Sequence, residues 1–508
     1  MRFLILHGVQ DVLSVRRTTF NQSFCLPRYA PEHDYVLQCY GRPIPSKLAE
    51  YPVDVIVLDT TFLCYRWARP RTILDNLRRD YDFVRRSPAV KVAFPQDDYD
   101  HHVVLDEWLS DWGVNIVFSP LARFREALYP RTGKCAEILE CLTGHAEPAD
   151  DAMLEAWRKP FAERPIDVGF RARDLPKYFG RLGRQKAEIG ERFIRALGPR
   201  SGLRMDISNR LEDTLLGTRW LEFLGNSKFT LGSISGSSLL DPDGDIQDCA
   251  RAYEEVHPGS TFEEVEANCF PGQDGAQEFS ALGPRNVEAA MARSCQILVA
   301  SAHWAPLEPG KHFIALDPDC RNAREVLAQM SDVREVHSRI EACYELLIGE
   351  GTYSYASFVD RILAAIDRAV GTSEERDRRS SLRDHRPTRP WCLIAELRIL
   401  RELFAGEATD REAVVRREIE HLMEELGRRT GRRGAIRELF GANEYLGPGG
   451  SRVVRAEALP AAARVFFIAR SALHVTRRIA SKVRAASRRA GRAAEGKDSV
   501  EYNDNARS

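Results

Sequence analysis

Short apolar runs at residues 3–6, 35–38, 53–58, 90–94 and 114–118 punctuate the first part of the chain. Between them, segments such as 74–86 and 102–112 place apolar residues three and four apart. A run of four to six apolar residues suits a buried strand, and three-to-four spacing marks one face of a helix. Their alternation predicts βαβ units and a doubly wound parallel sheet. The pattern pauses at 147–151 and restarts at 165–170. Further strands are predicted at 203–207, 229–231, 296–300 and 313–316, with helices at 185–197, 214–225, 285–293, 323–329 and 335–349. An amphipathic helix follows at 358–369, with apolar residues at 358, 359, 362, 363 and 366.

The texture then changes. Residues 372–386 are charged and almost free of apolar side chains, helical patterns resume at 391–404 and 411–428, and 447–450 break the chain again. The expected division is an α/β domain over 1–160, a second over 161–350, a crossover helix over 351–371, a linker and helical extension over 372–460, and a basic amphipathic helix with a polar tail over 461–508.

A chain of 508 residues with 44% hydrophobic residues can hold two or three domains with full cores. Lys+Arg 73 against Asp+Glu 74 leaves a net charge of -1, which by itself points to no partner; no nucleic acid is expected. The average hides the segment 461–490, where Val465, Ile468, Ala472, Val475, Ile479 and Val483 line one helical face among many arginines and no acidic residue. Such a helix is expected to lie on an anionic membrane surface. Packing on the protein itself, an acidic partner or a nucleic acid would also suit this segment. The 11 cysteines form no paired C-x-x-C motif and are expected to be reduced thiols. The apolar start, residues 1–6, is too short for a signal peptide, and no run nears the ~20 apolar residues of a membrane span. The expected location is cytoplasmic, with peripheral contact at the inner face of the membrane.

Several motifs carry candidate chemistry. A helix opens behind Pro284 with Arg285 and Glu288 in its first turn. Helix N-termini suit phosphate, and a carboxylate one turn in can accept hydrogen bonds from two ribose hydroxyls. Arg171 and Arg173 follow a strand, and Lys186 lies at the opening of a helix, so they are candidate partners for a diphosphate. Ser235, Gly236 and Ser237 follow another strand and could cradle phosphate or sugar. Asp241 and Asp243 read as a turn rather than a metal site, because Ala252 stands where a calcium loop needs a bidentate glutamate. Asp97 and its neighbours Asp98, Asp100, His101 and His102 sit past the C-terminal end of a strand, where α/β ligand sites lie. His7 ends the first strand. No P-loop, G-x-S-x-G or G-x-G-x-x-G occurs in a fitting strand–helix context, which argues against an NTPase, a serine hydrolase and a dinucleotide-dependent dehydrogenase.

Residues 165–367 resemble the nucleotide-sugar-binding half of a GT-B glycosyltransferase, in particular the bacterial group-1-like and CgeB-type enzymes. The likeness rests on Ile166 to Arg171, Trp220 to Gly232, Pro284 to Ala289, Glu308 to His312 and Tyr353 to Phe358. It implies two Rossmann-like domains facing a cleft, followed by a helical extension. It implies transfer of a sugar, such as a hexose, from a nucleotide diphosphate sugar to an acceptor hydroxyl on a glycan, a lipid-linked glycan or a protein, as in bacterial surface polysaccharide biosynthesis. The nucleotide sugar is a substrate, and neither cofactor nor metal is expected. Glu288 takes the place of the second glutamate of the group's E-x7-E motif, whereas Ser280 stands where the first belongs. The group's cation pair falls near Arg171 or Arg173 and Lys186, Ser235–Ser237 touch phosphate or sugar, and His7 or Asp97 serves the acceptor. An epimerase of the same fold and a non-catalytic carbohydrate-binding or assembly protein remain alternatives.

Overall fold

The apolar runs assemble two parallel sheets. The computed structural model describes residues 1–9, 16–41, 44, 48–198, 201–215 and 218–370. The first sheet contains β1 (Arg2–His7), β2 (Asp34–Cys39), β3 (Val55–Leu58), β4 (Val90–Ala93), β5 (Ile116–Ser119) and β6 (Glu137–Glu140). Their order is β2-β1-β3-β4-β5-β6, all parallel. Phe3, Leu4, Ile5 and Leu6 are all buried, so both faces of β1 are covered. That double burial is why these strands read as continuous apolar runs. β6 was not apparent from the pattern, because Glu137 and Glu140 flank only two apolar residues on this edge strand.

The second sheet begins with β7 (Ile166–Arg171), β8 (Met205–Ser208) and β9 (Ser227–Gly232). A separate antiparallel ribbon pairs β10 (Ser235–Ser237) with β11 (Phe279–Ala281). β12 (Cys295–Val299) and β13 (Ile314–Leu316) complete the sheet in the order β13-β12-β9-β7-β8. Its core joins Val168, Phe170, Phe229, Leu231, Ile297 and Ile314 to Ile189 and Phe193 of a covering helix. In both sheets the strand order reverses beside the first strand of the domain, which creates a crevice at the strands' C-terminal ends.

The helices that build the site are α1 (Arg17–Ser23), α2 (His102–Asp111), α3 (Pro148–Trp157), α4 (Gly180–Leu197), α5 (Thr218–Gly225), α6 (Asp245–Val256), α7 (Phe262–Cys269), α8 (Pro284–Met291) and α9 (Tyr355–Val370). α9 returns to the first domain. Phe358 packs edge-on to Phe94 and Phe118 and stacks on His145 at 4.2 Å, and Arg368 pairs with Glu137 at 2.9 Å. Two Rossmann-like sheets joined by such a returning helix are the GT-B arrangement.

Contacts between the two domains include two hydrogen-bonded seams and the packing of α3 against α5 and α8. On one, Asp100 bridges Asp241, and Arg69 bonds Asp248 at 2.8 Å and the Asp243 carbonyl at 3.0 Å. On the other, Thr143 donates to the Leu282 carbonyl at 3.1 Å and Arg123 to the Ser280 carbonyl.

One expectation needs correction. Cys249 of α6 and Cys269 of α7 form a disulfide, because the packing of the two helices brings their Cα atoms to 5.6 Å. Spacing alone could not reveal a pair 20 residues apart. Cys25, Cys39, Cys64, Cys135, Cys141, Cys295, Cys320 and Cys343 are free thiols, most of them buried. Among the described residues, no helix is long and apolar enough to cross a membrane. The linker at 372–386, the helices expected at 391–404 and 411–428, and the basic segment 461–490 lie outside the described residues.

Candidate functional site

A cavity opens at the C-terminal ends of β7 and β9, the reversal point of the second sheet. It encloses about 530 Å³, counting the part open to solvent. Gly169–Arg171 and Thr230–Ser233 form its floor, Trp220 and Phe223 of α5 one wall, and Lys186, Ser235 and Arg285 its polar rim.

Glu288 is the fifth residue of α8, one turn beyond its start rather than in the first turn. Gly283 enters in an extended conformation, and Pro284 occupies the first helical turn, where its fixed φ suits a helix and its missing N–H costs nothing. Glu288 accepts a 2.7 Å hydrogen bond from Nε1 of Trp220. The Arg285 guanidinium lies 5.6 Å over the Trp220 ring. Removal from bulk water raises the Glu288 pKa, while the Trp220 bond and the nearby Arg285 charge oppose the rise. The helix itself is pinned to β12, because Asn286 donates to Oε1 of Gln296 at 2.8 Å and Gln296 returns a bond to the Asn286 carbonyl.

Lys186 projects from α4 toward Ser235, with Nζ 3.3 Å from Oγ. Surrounding protein lowers its pKa to about 8; Arg285 adds to the shift and Asp97 opposes it. Asp97 reaches this environment from the first domain. It adopts a left-handed φ of 54° and accepts from the Tyr99 hydroxyl at 3.1 Å. Burial raises its pKa, against the charge of Arg66 and the Tyr99 bond. Arg66, 0% exposed, fixes the loop by donating to the carbonyls of Gln96, Asp97 and Asp100.

The other expected ligands fall elsewhere. Arg171 lines the cavity, but its guanidinium is committed to the carbonyls of Phe170, Asp206 and Asp213 and the Asp206 carboxylate, and it lies 4.6 Å over Phe223. Those bonds hold the end of β7 to β8 and to the chain just after it, and leave little donor capacity for phosphate. Arg173 is exposed and does not line the cavity. Ser237 turns inward to the carbonyls of Phe179 and Leu239. Gly236 lets β11 approach: with φ at 152°, an added Cβ would lie 2.0 Å from the Phe279 carbonyl oxygen. Only Ser235 of that trio borders the cavity. α4 begins at Gly180, before the expected start, and its N-terminus is occupied by Asp274, which accepts from the Arg181 N–H at 3.0 Å.

His7 is 3% exposed and packs edge-on to Phe24 at 5.1 Å. Asp241 accepts from the N–H groups of Gly244 and Gln247, so it caps the turn into α6. Glu278 gathers Ser280 and Ser301, whose hydroxyls donate to Oε1 at 2.7 and 3.0 Å. His303 Nδ1 lies 2.8 Å from the same Ser280 hydroxyl. A carboxylate therefore sits two residues before Ser280.

No protein-family model matches the chain, and no curated protein sequence matches it. Among solved structures it is similar to an alpha-glucosyltransferase in complex with UDP and a 13-mer DNA containing a HMU base, with 11% identity, coverage of 72% of this chain and 99% of that one, and a TM-score of 0.42. It is also similar to Anabaena Alr3699/HepE in complex with UDP-glucose, with 10% identity, coverage of 72% and 100%, and a TM-score of 0.38. A third likeness is to sucrose-phosphate synthase from Thermosynechococcus elongatus, with 11% identity, coverage of 73% and 99%, and a TM-score of 0.39. Likenesses this distant say nothing of donor, acceptor or residue roles, which rest on the site's own residues.

Sequence reasoning did not find Trp220 as the partner of Glu288, nor Arg66, Asp274 or Glu278. Trp220 and Phe223 stand three apart in a helical run, which marks a face but not what that face meets.

Proposed function

We propose that the chain is a glycosyltransferase that takes a sugar from a nucleotide diphosphate sugar. The observation that supports this most is the cavity at the reversal point of the second sheet, lined by Lys186 and Arg285, with Glu288 bonded to the lining residue Trp220. In this reading the ionised Glu288 accepts hydrogen bonds from the ribose hydroxyls. Its bond from Trp220 fixes the carboxylate before the nucleotide arrives. Lys186 and Arg285 face the diphosphate, replacing the Arg171 and Arg173 assignment. The bond between the anomeric carbon and the diphosphate oxygen breaks, and its electron pair leaves on the diphosphate. A bond from the same carbon to the acceptor oxygen forms, and the acceptor's proton passes to the Asp97 carboxylate. Stabilising charge that develops on a leaving group is the largest service such a site can give.

Asp97 suits the proton better than His7, since it lies within electrostatic reach of Lys186 whereas His7 is enclosed against Phe24. Glu278 supplies a carboxylate near the place where the group-1 pattern has its first glutamate, and in this reading it faces the donor sugar. Membership of the group-1-like or CgeB-type enzymes, a role in bacterial surface glycan or protein glycosylation, metal-independent transfer and peripheral membrane contact belong to the same proposal.

The test is incubation with a panel of nucleotide diphosphate sugars, with and without glycan acceptors, following released nucleoside diphosphate. Acceptor-dependent release that persists with chelator is the expected result. Conversion of the donor sugar to its epimer without acceptor would instead establish an epimerase, and binding of glycans with no turnover of any donor a carbohydrate-binding protein.

A further inference from the structure

Arg16 sits immediately before α1, in the first domain. Its backbone is extended, its side chain is exposed, and its carbonyl accepts the Phe20 N–H. The next residues are fixed in place. Arg17 forms an ion pair with Asp150 of α3, and the Thr18 carbonyl accepts from the Tyr355 hydroxyl of α9 at 3.3 Å. α3 in turn packs against α8, the helix that carries Arg285 and Glu288. The start of α1 is thereby held beside the rim of the second-domain cavity. The charge of Arg16 reaches Lys186 and Arg285 of the rim and Glu288 beside Trp220: it disfavours the protonated forms of Lys186 and Arg285 and favours the carboxylate of Glu288.

Two cations of the second domain thus line one cavity, and one from the first domain lies within electrostatic reach of both. The carboxylates within electrostatic reach of this cluster are Glu288, which Trp220 binds, Asp97, which Tyr99 binds, and Asp150, which is paired with Arg17. Such a cluster repels itself unless an anion enters. It also holds one cation more than the pair that the second domain supplies alone.

We propose that Arg16 is a third ligand of the diphosphate, so that the anion site is completed only by the two domains together. This rests on the reading of the cavity as a nucleotide diphosphate sugar site. Cleavage of the donor leaves the diphosphate with one negative charge more than it had in the donor. A third cation matches that charge as it develops, and Arg16 thus favours the departing group over the bound donor.

The experiment titrates nucleoside, nucleoside monophosphate and nucleoside diphosphate into the full chain by calorimetry. It compares wild type, Arg16→Ala, Arg16→Lys and, as a distant control, Arg78→Ala, each checked for unchanged thermal unfolding. Arg16→Ala should weaken the diphosphate about tenfold, leave the nucleoside unaffected and lower the salt dependence, while Arg16→Lys recovers much of the loss. With the best donor, Arg16→Ala should reduce kcat more than it raises KM. Equal diphosphate affinity in wild type and Arg16→Ala would overturn the assignment of Arg16 alone. A wild type that binds no nucleoside diphosphate would overturn the parent reading.

Discussion

Lys186 is the side chain whose chemistry the fold alters most usefully. Surrounded by protein and facing Arg285, its ammonium has a pKa lowered to about 8 from an ordinary 10.5. Below that value it is a cation and, in the proposed reading, attracts the diphosphate; above it the amine is neutral and that attraction is lost. Nucleoside diphosphate affinity is therefore expected to fall as pH rises through about 8. Lys186→Arg should flatten the profile, because a guanidinium keeps its charge throughout. Calorimetric titrations on both sides of that pH check this, and an unchanged slope in Lys186→Arg would detach Lys186 from the anion. At this scale the sequence was partly legible. Glu288 could be placed because Pro284 marks where its helix begins. Arg171 does line the cavity, but its bonds to the carbonyls of Asp206 and Asp213 were not legible, because those residues lie far along the chain. Trp220 and Glu288 are 68 residues apart, so their bond has no local signature.

Among the elements, α4 shows how the site depends on structure outside it. Its first N–H groups are taken by Asp274 and Ser238: Arg181 N–H donates to Asp274, Leu182 N–H donates to Ser238 Oγ at 3.0 Å, and that hydroxyl donates to Asp274 at 2.7 Å. The Asp274 side chain is fully buried. Asp274→Ala removes the cap and leaves polar groups unsatisfied, which costs about 1–3 kcal/mol. Urea unfolding should show the lower midpoint, and a midpoint equal to wild type would contradict the capping role. The parallel strands were legible because burial on both faces writes them as apolar runs. β10 was not, since Ser235-Gly-Ser237 has no strand character and is extended only through its pairing with β11. α6 and α7 were missed, although Ile246, Ala250 and Phe262, Val265 form their buried faces. Charged residues dominate both segments, and their small core is their own, closed by Leu239 and Phe270.

In the whole molecule, each domain repeats one sheet order and presents its crevice to the cleft. The second domain contributes the cavity, Glu288, Lys186 and Arg285; the first contributes Asp97, held by Arg66, and the pinned start of α1. The alternation of strands and helices foretold this division, whereas the facing of Asp97 and Lys186 across the cleft came only with the structure. The central claim is that the cavity takes a nucleoside diphosphate with Glu288 on its ribose. The most direct measurement is calorimetric titration of nucleoside diphosphates into wild type and Glu288→Ala. Saturable one-to-one binding by wild type, weakened about ten- to a hundredfold in a folded Glu288→Ala, is the predicted result. The same affinity in both proteins, or no binding by wild type, would contradict it.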